Sequence, residues 1–246
     1  MIRIELDSRG PFVVRWPSSD DKTIRLATSF VTHEADLPSD QQYPLLPLIR
    51  STLETASAGA SSAGSGETSR AVSAEELRNA RSSAKKPLKQ AFDALKVQSG
   101  ENLAVLEEYG LHTKQGDGGV TVYAPRTPQA WDSFLVKYVE QQGALEAEAQ
   151  IRKPALETLA PLADTVRASR ESRDGGRTQR EIGVGSRVRA AAQLHDLLEV
   201  AACHLVVSRF GFEVTRDLKL WGYEVVQATA ATEANPAGEN SVPAGG

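Results

Sequence analysis

The N-terminal segment alternates apolar and polar positions with a period of two. The alternation occurs in three runs, residues 2–6, 12–16 and 24–30, which are separated by turn-forming glycine, proline and serine residues. A period of two is typical of half-buried strands. The sequence therefore predicts a β segment over residues 1–36, made of short strands that pack on the end of a helical domain.

Beyond this segment the apolar positions recur at the three- and four-residue spacing of helices. Two helices are predicted in the first half of the chain, near residues 45–56 and 77–95. The Gly- and Ser-rich residues 57–69 between them offer little to bury and predict a flexible loop. Ser73 and Glu76 have the spacing of a capping box, which predicts that the second helix begins there.

The second half of the chain predicts another pair of helices. The first has Thr127 as its N-cap and Pro128 as its first residue, and it continues to about Arg173. Pro154 and Pro161 are expected to bend or break it. The Asp-Gly-Gly sequence at residues 174–176 predicts a turn. The next helix carries an apolar seam with the spacing of a coiled coil. The seam residues are Ala191, Leu194, Leu198, Ala201 and Leu205.

One short pattern follows each pair of helices. Residues 106–113 read LEEYGLHT and residues 218–225 read LKLWGYEV, so a leucine, an aromatic residue and a glycine share their positions. The pattern predicts a short helix that ends in a left-handed cap at Gly110 or Gly222 and turns into a strand. The first strand would enter a β-hairpin at residues 116–119, Gly-Asp-Gly-Gly. Two such units indicate an internal duplication.

These elements define the predicted fold. We expect a mainly α (α+β) protein, an up-down-up-down four-helix bundle of two helical hairpins with a small β-sheet at one end. The first hairpin and its β-hairpin would cover residues 37–126, and the second hairpin and its strand would cover residues 127–227. Together they would form one bundle domain, residues 37–227. The proline- and glycine-bearing residues 228–246 predict a disordered tail.

The chain resembles a group of uncharacterised bacterial proteins built from two helical hairpins, each closed by an L-x-x-[WY]-G strand unit. The matching stretches are residues 106–113 and 218–225, and with the hairpins around them the resemblance covers most of residues 40–228. It implies a helical-bundle fold. It carries no activity, cofactor or catalytic residue with it.

Composition narrows the classes of function. The chain has 246 residues, a formal charge of −4 and one cysteine. The acidic balance argues against a protein that coats nucleic acid, and one cysteine excludes an intramolecular disulfide and fits a reducing compartment. The N-terminus lacks the apolar core of a signal peptide, and the apolar stretch near the C-terminal end is far shorter than the ~20 residues that span a bilayer. We therefore expect a soluble, cytoplasmic protein with no membrane partner.

Three candidate metal ligands, His195, Glu199 and Cys203, share one face of the last long helix because they are four residues apart. They extend over about 12 Å at the usual helical rise, too far for one ion to bind all three. A site would need two of them together with carboxylates from another helix. We expect instead a polar flank beside the apolar seam, with Glu199 facing solvent. No other pattern predicts catalytic residues or a cofactor, so we expect a non-enzymatic protein.

The strongest polar feature is an arginine-rich segment around the predicted turn. It contains seven arginines against three carboxylates, a local charge of +4. The seven are Arg167, Arg170, Arg173, Arg177, Arg180, Arg187 and Arg189. Arginine binds carboxylates and phosphates in bidentate geometry. The segment is therefore either a solvated helix-hairpin tip or a surface that docks an acidic protein or a nucleic-acid backbone. Bases have no aromatic side chain there on which to stack, which disfavours single-stranded nucleic acid.

The leading hypothesis is a scaffold or assembly subunit that acts through protein–protein contacts, self-association included. The alternative is binding of a nucleic-acid backbone through the arginine-rich tip. A metal site in the bundle core is the third interpretation.

Overall fold

The computed structural model describes residues 11–99, 102–116 and 119–228, and it is mainly helical. In chain order the elements are β1 (Phe12–Arg15), α1 (Asp20–Ala35), α2 (Leu46–Ser99), α3 (Leu103–Glu108), β2 (His112–Gly116), β3 (Gly119–Tyr123), α4 (Pro128–Gly143), α5 (Leu156–Ser208), a 3₁₀ helix (Arg216–Trp221) and β4 (Glu224–Gln227).

The chain divides into two compact units. Unit 1 comprises Met1–Gly59 and Gly185–Gly246, and unit 2 comprises Ala60–Val184. Helix α2 begins in unit 1 and ends in unit 2, whereas α5 begins in unit 2 and ends in unit 1. Each unit therefore contains a part of both long helices.

The described strands form two antiparallel pairs, one in each unit. In unit 1, β1 pairs with β4, with Phe12 opposite Gln227 and Arg15 opposite Glu224. In unit 2, β2 pairs with β3, which confirms the predicted β-hairpin. The prediction of one small sheet is wrong. Only two residues separate β2 from β3 in the sequence, so these strands pair with each other, and β4 pairs with β1 from near the beginning of the chain.

The same order of elements occurs twice along the chain. A strand is followed by a 16-residue helix, a helix of 54 or 53 residues, a six-residue helical segment and a second strand. The first series runs from β1 to β2 and the second from β3 to β4. Since β1 pairs with β4 and β2 with β3, each unit combines the beginning of one series with the end of the other.

Glycine ends the short helix in both series. Gly110 and Gly222 adopt the left-handed conformation, with φ of 74° and 91°. The next residue then donates its N–H to the carbonyl five residues earlier, at 3.2 Å for Leu111 and 3.3 Å for Tyr223. This bond is the signature of a Schellman cap. The left-handed glycine cap predicted from the sequence is confirmed at both positions.

A buried carboxylate holds the end of α1 in unit 1. Glu34, the fifteenth residue of this helix, is fully buried. Its two oxygens accept hydrogen bonds from the indole N–H of Trp221 and from the backbone N–H of Tyr43, each at 2.5 Å. The guanidinium of Arg209 lies 3.8 Å from this carboxylate and 5.2 Å from the centre of the Trp221 ring. The two donors and the nearby cation offset the cost of burying Glu34.

Unit 2 contains the equivalent arrangement with an amide. Gln142, the fifteenth residue of α4, is buried. Its Nε2 donates to the hydroxyl of Tyr109 and its Oε1 accepts from the backbone N–H of Ile151, both at 2.7 Å. The aromatic residue of the L-x-x-[WY]-G pattern is thus the partner in both units. An indole N–H can only donate, and the carboxylate of Glu34 has an acceptor oxygen for it and a second for the backbone N–H, whereas a phenol hydroxyl can accept from the amide of Gln142.

Each unit has its own hydrophobic core. In unit 1 the apolar seam of α5 packs with residues of α1, the beginning of α2 and β4. All five predicted seam residues are at most 1 % exposed, so their predicted burial is confirmed. In unit 2 the core is formed by the end of α2, by α3 and α4, and by the beginning of α5.

The prediction of a strand over residues 24–30 is wrong, because this segment belongs to α1. The buried residues of α1 have helical spacing: Thr23, Leu26, Ala27, Phe30 and Glu34. Residues four apart in that stripe, such as Leu26 and Phe30, are an even number of positions apart, so they also fit a period of two. Of the other two predicted strands, Phe12–Arg15 does form β1, and residues 2–6 lie outside the described residues.

The connections predicted for the two helical hairpins are also wrong, because both segments are helical. Residues 57–69 lie inside α2 and residues 174–176 lie inside α5. The proposed capping box at Ser73 and Glu76 lies in the interior of α2. The helix predicted from Pro128 to Arg173, with a bend or break at Pro154 or Pro161, is two helices: α4 ends at Gly143 and α5 begins at Leu156. The break falls in the segment that contains Pro154, whereas Pro161 lies inside α5.

Close packing of α2 against α5 explains the small residues in these segments. A Cβ atom on Gly66 would lie 2.6 Å from the carbonyl oxygen of Gly176, and one on Gly176 would lie 2.8 Å from the carbonyl oxygen of Gly66. Nearby, the hydroxyls of Ser73 and Ser172 are hydrogen-bonded at 2.8 Å. Backbones can approach this closely only where side chains are absent or very small. The glycine and serine residues therefore mark a helix crossing and not a loop.

One helix of the described chain, α5, has the length and composition to cross a membrane. It contains an 18-residue window with a mean hydropathy of 1.2, and half of that window is buried inside the fold. Core helices of soluble proteins meet the same criterion. The composition of α5 therefore does not by itself assign the helix to a membrane.

Candidate functional site

A groove of about 600 Å³ in unit 2 is lined mainly by arginine side chains from α2 and α5. We call it the arginine groove; its arginines are Arg70, Arg81, Arg170, Arg173, Arg177 and Arg180. Three carboxylates also line it, Glu67, Asp174 and Glu181. The lining therefore carries six positive and three negative charges, a net charge of +3.

The helix crossing positions the arginine groove. Gly66 and Gly176 bring the backbones of α2 and α5 together in unit 2. Arg70 lies one turn beyond Gly66, and Arg180 lies one turn beyond Gly176. The long side chains that flank the glycine contact therefore come from both helices and meet beside it.

Carboxylates within the groove hold three of the arginines. Glu67 forms ion pairs with Arg70 at 2.6 Å and with Arg180 at 3.4 Å, and Arg177 pairs with Glu181 at 2.9 Å. The hydrogen bond from Arg70, together with the charges of Arg70 and Arg180, lowers the pKa of Glu67. Glu67 consequently stays ionised at neutral pH and offsets part of the positive charge.

Arg170 and Arg173 make no ion pair with any residue that the structure describes. Arg170 is half-buried and Arg173 is exposed, one turn apart on α5. A guanidinium without a carboxylate partner keeps its full capacity for bidentate hydrogen bonds. These two side chains are therefore the part of the groove that is available to a carboxylate or phosphate from outside.

A buried carboxylate fixes the sixth arginine of the groove. Arg81 donates from Nε and Nη2 to the two oxygens of Asp132, at 3.0 and 2.6 Å. The Asp132 side chain is 3 % exposed, and the hydrogen bond raises the pKa of Arg81. The pair holds the Arg81 guanidinium in one orientation at the edge of the groove.

The structure brings together four of the seven arginines predicted as a partner surface. Arg167 lies outside the groove and pairs with Glu140 at 2.8 Å, while Arg187 belongs to unit 1 and pairs with Asp21. Arg189 also belongs to unit 1 and is exposed. The segment is not a helix-hairpin tip, because α5 is continuous through it. A run of arginines along one helix points in all directions, so only those on the side facing α2 share a groove.

Sequence reasoning missed Arg70 and Arg81. Arg70 stands apart from other basic residues, whereas Arg81 belongs to the basic run of residues 78–89; both lie in α2, far along the chain from the arginine-rich segment of α5. The glycines do not single out the contact. Gly64, Gly175 and Gly185 also lie in these two helices, yet a Cβ on any of them would meet nothing within 4 Å.

The candidate metal ligands lie on α5 in unit 1. Nδ1 of His195 is 3.6 Å from Oε1 of Glu199, and together with Asp196 they form a group whose possible ligand atoms lie within 4.8 Å of one another. Cys203 is outside the group, and burial, followed by the charge of Glu199, raises the pKa of its thiol. All members of the group come from one helix. Among the described residues it therefore lacks the carboxylates from a second helix that a metal site here would require.

The expectation that Glu199 faces solvent is wrong. The residue is 7 % exposed. Its neighbours on α5 contact residues of other elements: the hydroxyl of Tyr223 donates to the carbonyl of Leu198 at 2.7 Å, and the ring of Trp16 lies 6.0 Å from that of His195. The seam marked the centre of the buried face, but the width of that face depends on what packs around it.

Comparison of the chain with protein-family models, with curated proteins and with solved structures found no match. The resemblance carried by the L-x-x-[WY]-G pattern stays a prediction.

Proposed function

We propose that this protein acts by binding and not by catalysis, as a scaffold or assembly subunit that docks an acidic protein segment in the arginine groove. The observation that carries the proposal is the convergence of six arginines from two helices on one groove, two of which have no ion pair among the described residues.

The charge of the groove selects the kind of partner. Glu67 and Glu181 already satisfy Arg70, Arg177 and Arg180, which leaves Arg170 and Arg173 for an incoming anion. A net charge of +3 on a protein whose overall charge is −4 gives a local positive field that attracts an acidic surface. Two guanidiniums one turn apart can each take a carboxylate in bidentate geometry.

The proposal includes the finer topology and the origin of the fold. We interpret the two series of elements, with their shared glycine caps and buried clamps at Glu34 and Gln142, as products of duplication. The finer topology predicted from the sequence, an up-down-up-down four-helix bundle, stays part of this proposal.

A nucleic-acid backbone is the second candidate, because Arg170 and Arg173 suit phosphate as well as carboxylate. No aromatic residue is present among those that line the groove, so the bases of a nucleic acid would have no side chain there on which to stack. Contacts to phosphates would also make the affinity fall steeply as salt rises.

The test compares two double charge reversals. Arg170→Glu with Arg173→Glu removes the unpaired arginines, whereas Arg78→Glu with Arg189→Glu makes the same charge change at exposed arginines outside the groove. Fluorescence anisotropy would measure binding of a labelled oligoglutamate peptide and, separately, of a DNA duplex over a range of salt concentrations. Circular dichroism would check that both variants are folded, as expected for exposed charges.

We expect the groove variant to bind the peptide at least about tenfold more weakly, which is about 1.4 kcal/mol, and the control to bind it nearly as the unsubstituted protein does. Equal losses in both variants would show a general charge effect and refute the groove. Binding of DNA but not of the peptide, lost only in the groove variant, would establish the second candidate instead.

A further inference from the structure

A second cavity in unit 2 has a different character from the arginine groove. It measures about 470 Å³ and lies among α2, α4 and α5. Its apolar walls include Ala84, Leu88, Phe92, Trp131, Leu135 and Val166. This volume and this apolar lining are typical of sites that bind small molecules.

Cationic side chains surround the apolar part of this cavity. Arg81, Lys85 and Lys89 follow one another at four-residue spacing on α2, so they form one row along the helix, and Arg126 adds a fourth cation from the segment before α4. Asp93 and Asp132 are the acidic residues of the lining, which leaves a net charge of +2.

The cations of this row differ in their availability. Arg81 is occupied by the buried carboxylate of Asp132. Lys85, Lys89 and Arg126 form no ion pair within the described part of the chain, and all three are exposed. A ligand in the cavity would therefore meet free positive charges at the edge of an apolar floor.

We propose that this cavity binds a small amphipathic anion, with an apolar body against the walls and a carboxylate or similar anionic head beside Lys85, Lys89 and Arg126. Burial of the apolar body supplies the driving force, since Trp131 is only partly buried and Ala124 and Pro128 are exposed at the cavity. The lysine row selects an anion over a neutral or cationic molecule of the same shape. The inference is independent of the arginine groove, with which this cavity shares only Arg81.

The test uses dodecanoate as the probe, at concentrations below those at which it forms micelles. Isothermal titration calorimetry would measure its affinity, and dodecyltrimethylammonium would serve as a ligand with the same chain and the opposite charge. Trp131 is the one tryptophan of unit 2, so its fluorescence in a protein with Trp16→Phe and Trp221→Phe would report occupation of the cavity.

Two kinds of variant test the two parts of the proposal. Ala84→Phe places a large side chain in the cavity. Lys85→Glu with Lys89→Glu, the lysine-row variant, reverses the charge of the two lysines at its edge. Arg78→Glu with Lys86→Glu is the matched control, because both residues are exposed on the same helix and neither lines the cavity. The lysines are exposed, so the charge variants should remain folded even if Ala84→Phe does not.

We expect dodecanoate to bind and to change the Trp131 fluorescence, dodecyltrimethylammonium to bind at least about tenfold more weakly, and the lysine-row variant to lose affinity for dodecanoate by a similar factor while the control does not. Failure of dodecanoate to bind, equal affinity for both detergents, or equal loss in the control would each overturn the proposal. So would a concentration-dependent dimer that Ala84→Phe or the lysine-row variant abolishes, because the cavity would then belong to an interface between two copies of the chain.

Discussion

Alanine substitutions at two adjacent glycines of α5 should change stability in opposite directions. Gly175 and Gly176 both lie inside the helix, but their surroundings differ. A Cβ atom at position 175 would have no neighbour within 4 Å. A Cβ atom at position 176 would lie 2.8 Å from the carbonyl oxygen of Gly66 and 3.1 Å from the backbone nitrogen of Arg70.

The magnitudes follow from two opposing effects. Alanine stabilises a helix interior by up to about 1 kcal/mol relative to glycine, and Gly175→Ala should gain this amount in full. At Gly176 the same gain is opposed by overpacking, which costs about 1–3 kcal/mol. The obstructing atoms belong to the backbone of α2, so no side-chain rotation can relieve the contact. The two variants should therefore differ by about 1–3 kcal/mol, with Gly176→Ala the less stable.

Urea denaturation followed by far-ultraviolet circular dichroism would measure both variants, with equal slopes required before the free energies of unfolding are compared. Gly64→Ala and Gly66→Ala repeat the contrast on α2, since only a Cβ at position 66 meets the other helix. Substituting Gly66 and Gly176 together should cost less than the two single effects combined, because the helices have already separated. If Gly176→Ala were as stabilising as Gly175→Ala, the backbones would not be in contact. If Gly175→Ala were destabilising, the segment would be a turn after all.

Two further predictions concern buried polar groups. Tyr138→Phe should leave stability unchanged or raise it, because the buried Tyr138 hydroxyl has no hydrogen-bond partner in the described chain. Tyr223→Phe should instead destabilise the fold by about 0.5–1.5 kcal/mol, because it removes the hydrogen bond to the carbonyl of Leu198. Burial raises the pKa of Tyr138 to about 12. Its neutral form therefore stabilises the fold fully below pH ~10, and this contribution should be lost as the pH rises from ~10 to ~12. Tyr138→Phe has no such group and should not show this loss. Urea denaturation at neutral and alkaline pH tests both statements, and equal losses for the two phenylalanine variants at neutral pH would contradict the first. Glu34→Gln should destabilise by about 1–3 kcal/mol, because an amide offers one acceptor where the Trp221 indole and a backbone N–H both donate; an unchanged midpoint of thermal unfolding would contradict this role for Glu34.

Local patterns in the sequence were sufficient for features that depend on near neighbours. The L-x-x-[WY]-G pattern predicted the left-handed caps at Gly110 and Gly222, since only residues within one turn decide such a cap. The Gly-Asp-Gly-Gly turn predicted the β2–β3 hairpin for the same reason. The seam of α5 predicted a buried face, because helical spacing places those five residues on one side whatever packs against them.

The same sequence misled wherever a residue type has two physical uses. Glycine and serine at residues 57–69 and 174–176 are favoured in flexible loops and also where two helix backbones touch, and composition does not distinguish these uses. Over residues 24–30, the i and i+4 positions of a helical stripe also satisfy a period of two. The buried Glu199 shows the same limit, because the width of the buried face depends on other elements, which contact the neighbouring residues Leu198 and His195.

For the candidate site, the sequence determined the chemistry and the tertiary structure determined the geometry. The surplus of arginine in α5 is visible in the chain itself, and so is its suitability for anions. Which arginines meet is decided by the contact between Gly66 and Gly176, which brings a second helix, with Arg70 and Arg81, beside Arg170 and Arg173. That contact joins residues more than a hundred positions apart. No local period or propensity reports on such a pair, because the free energy that favours it arises only when both helices are already formed and packed.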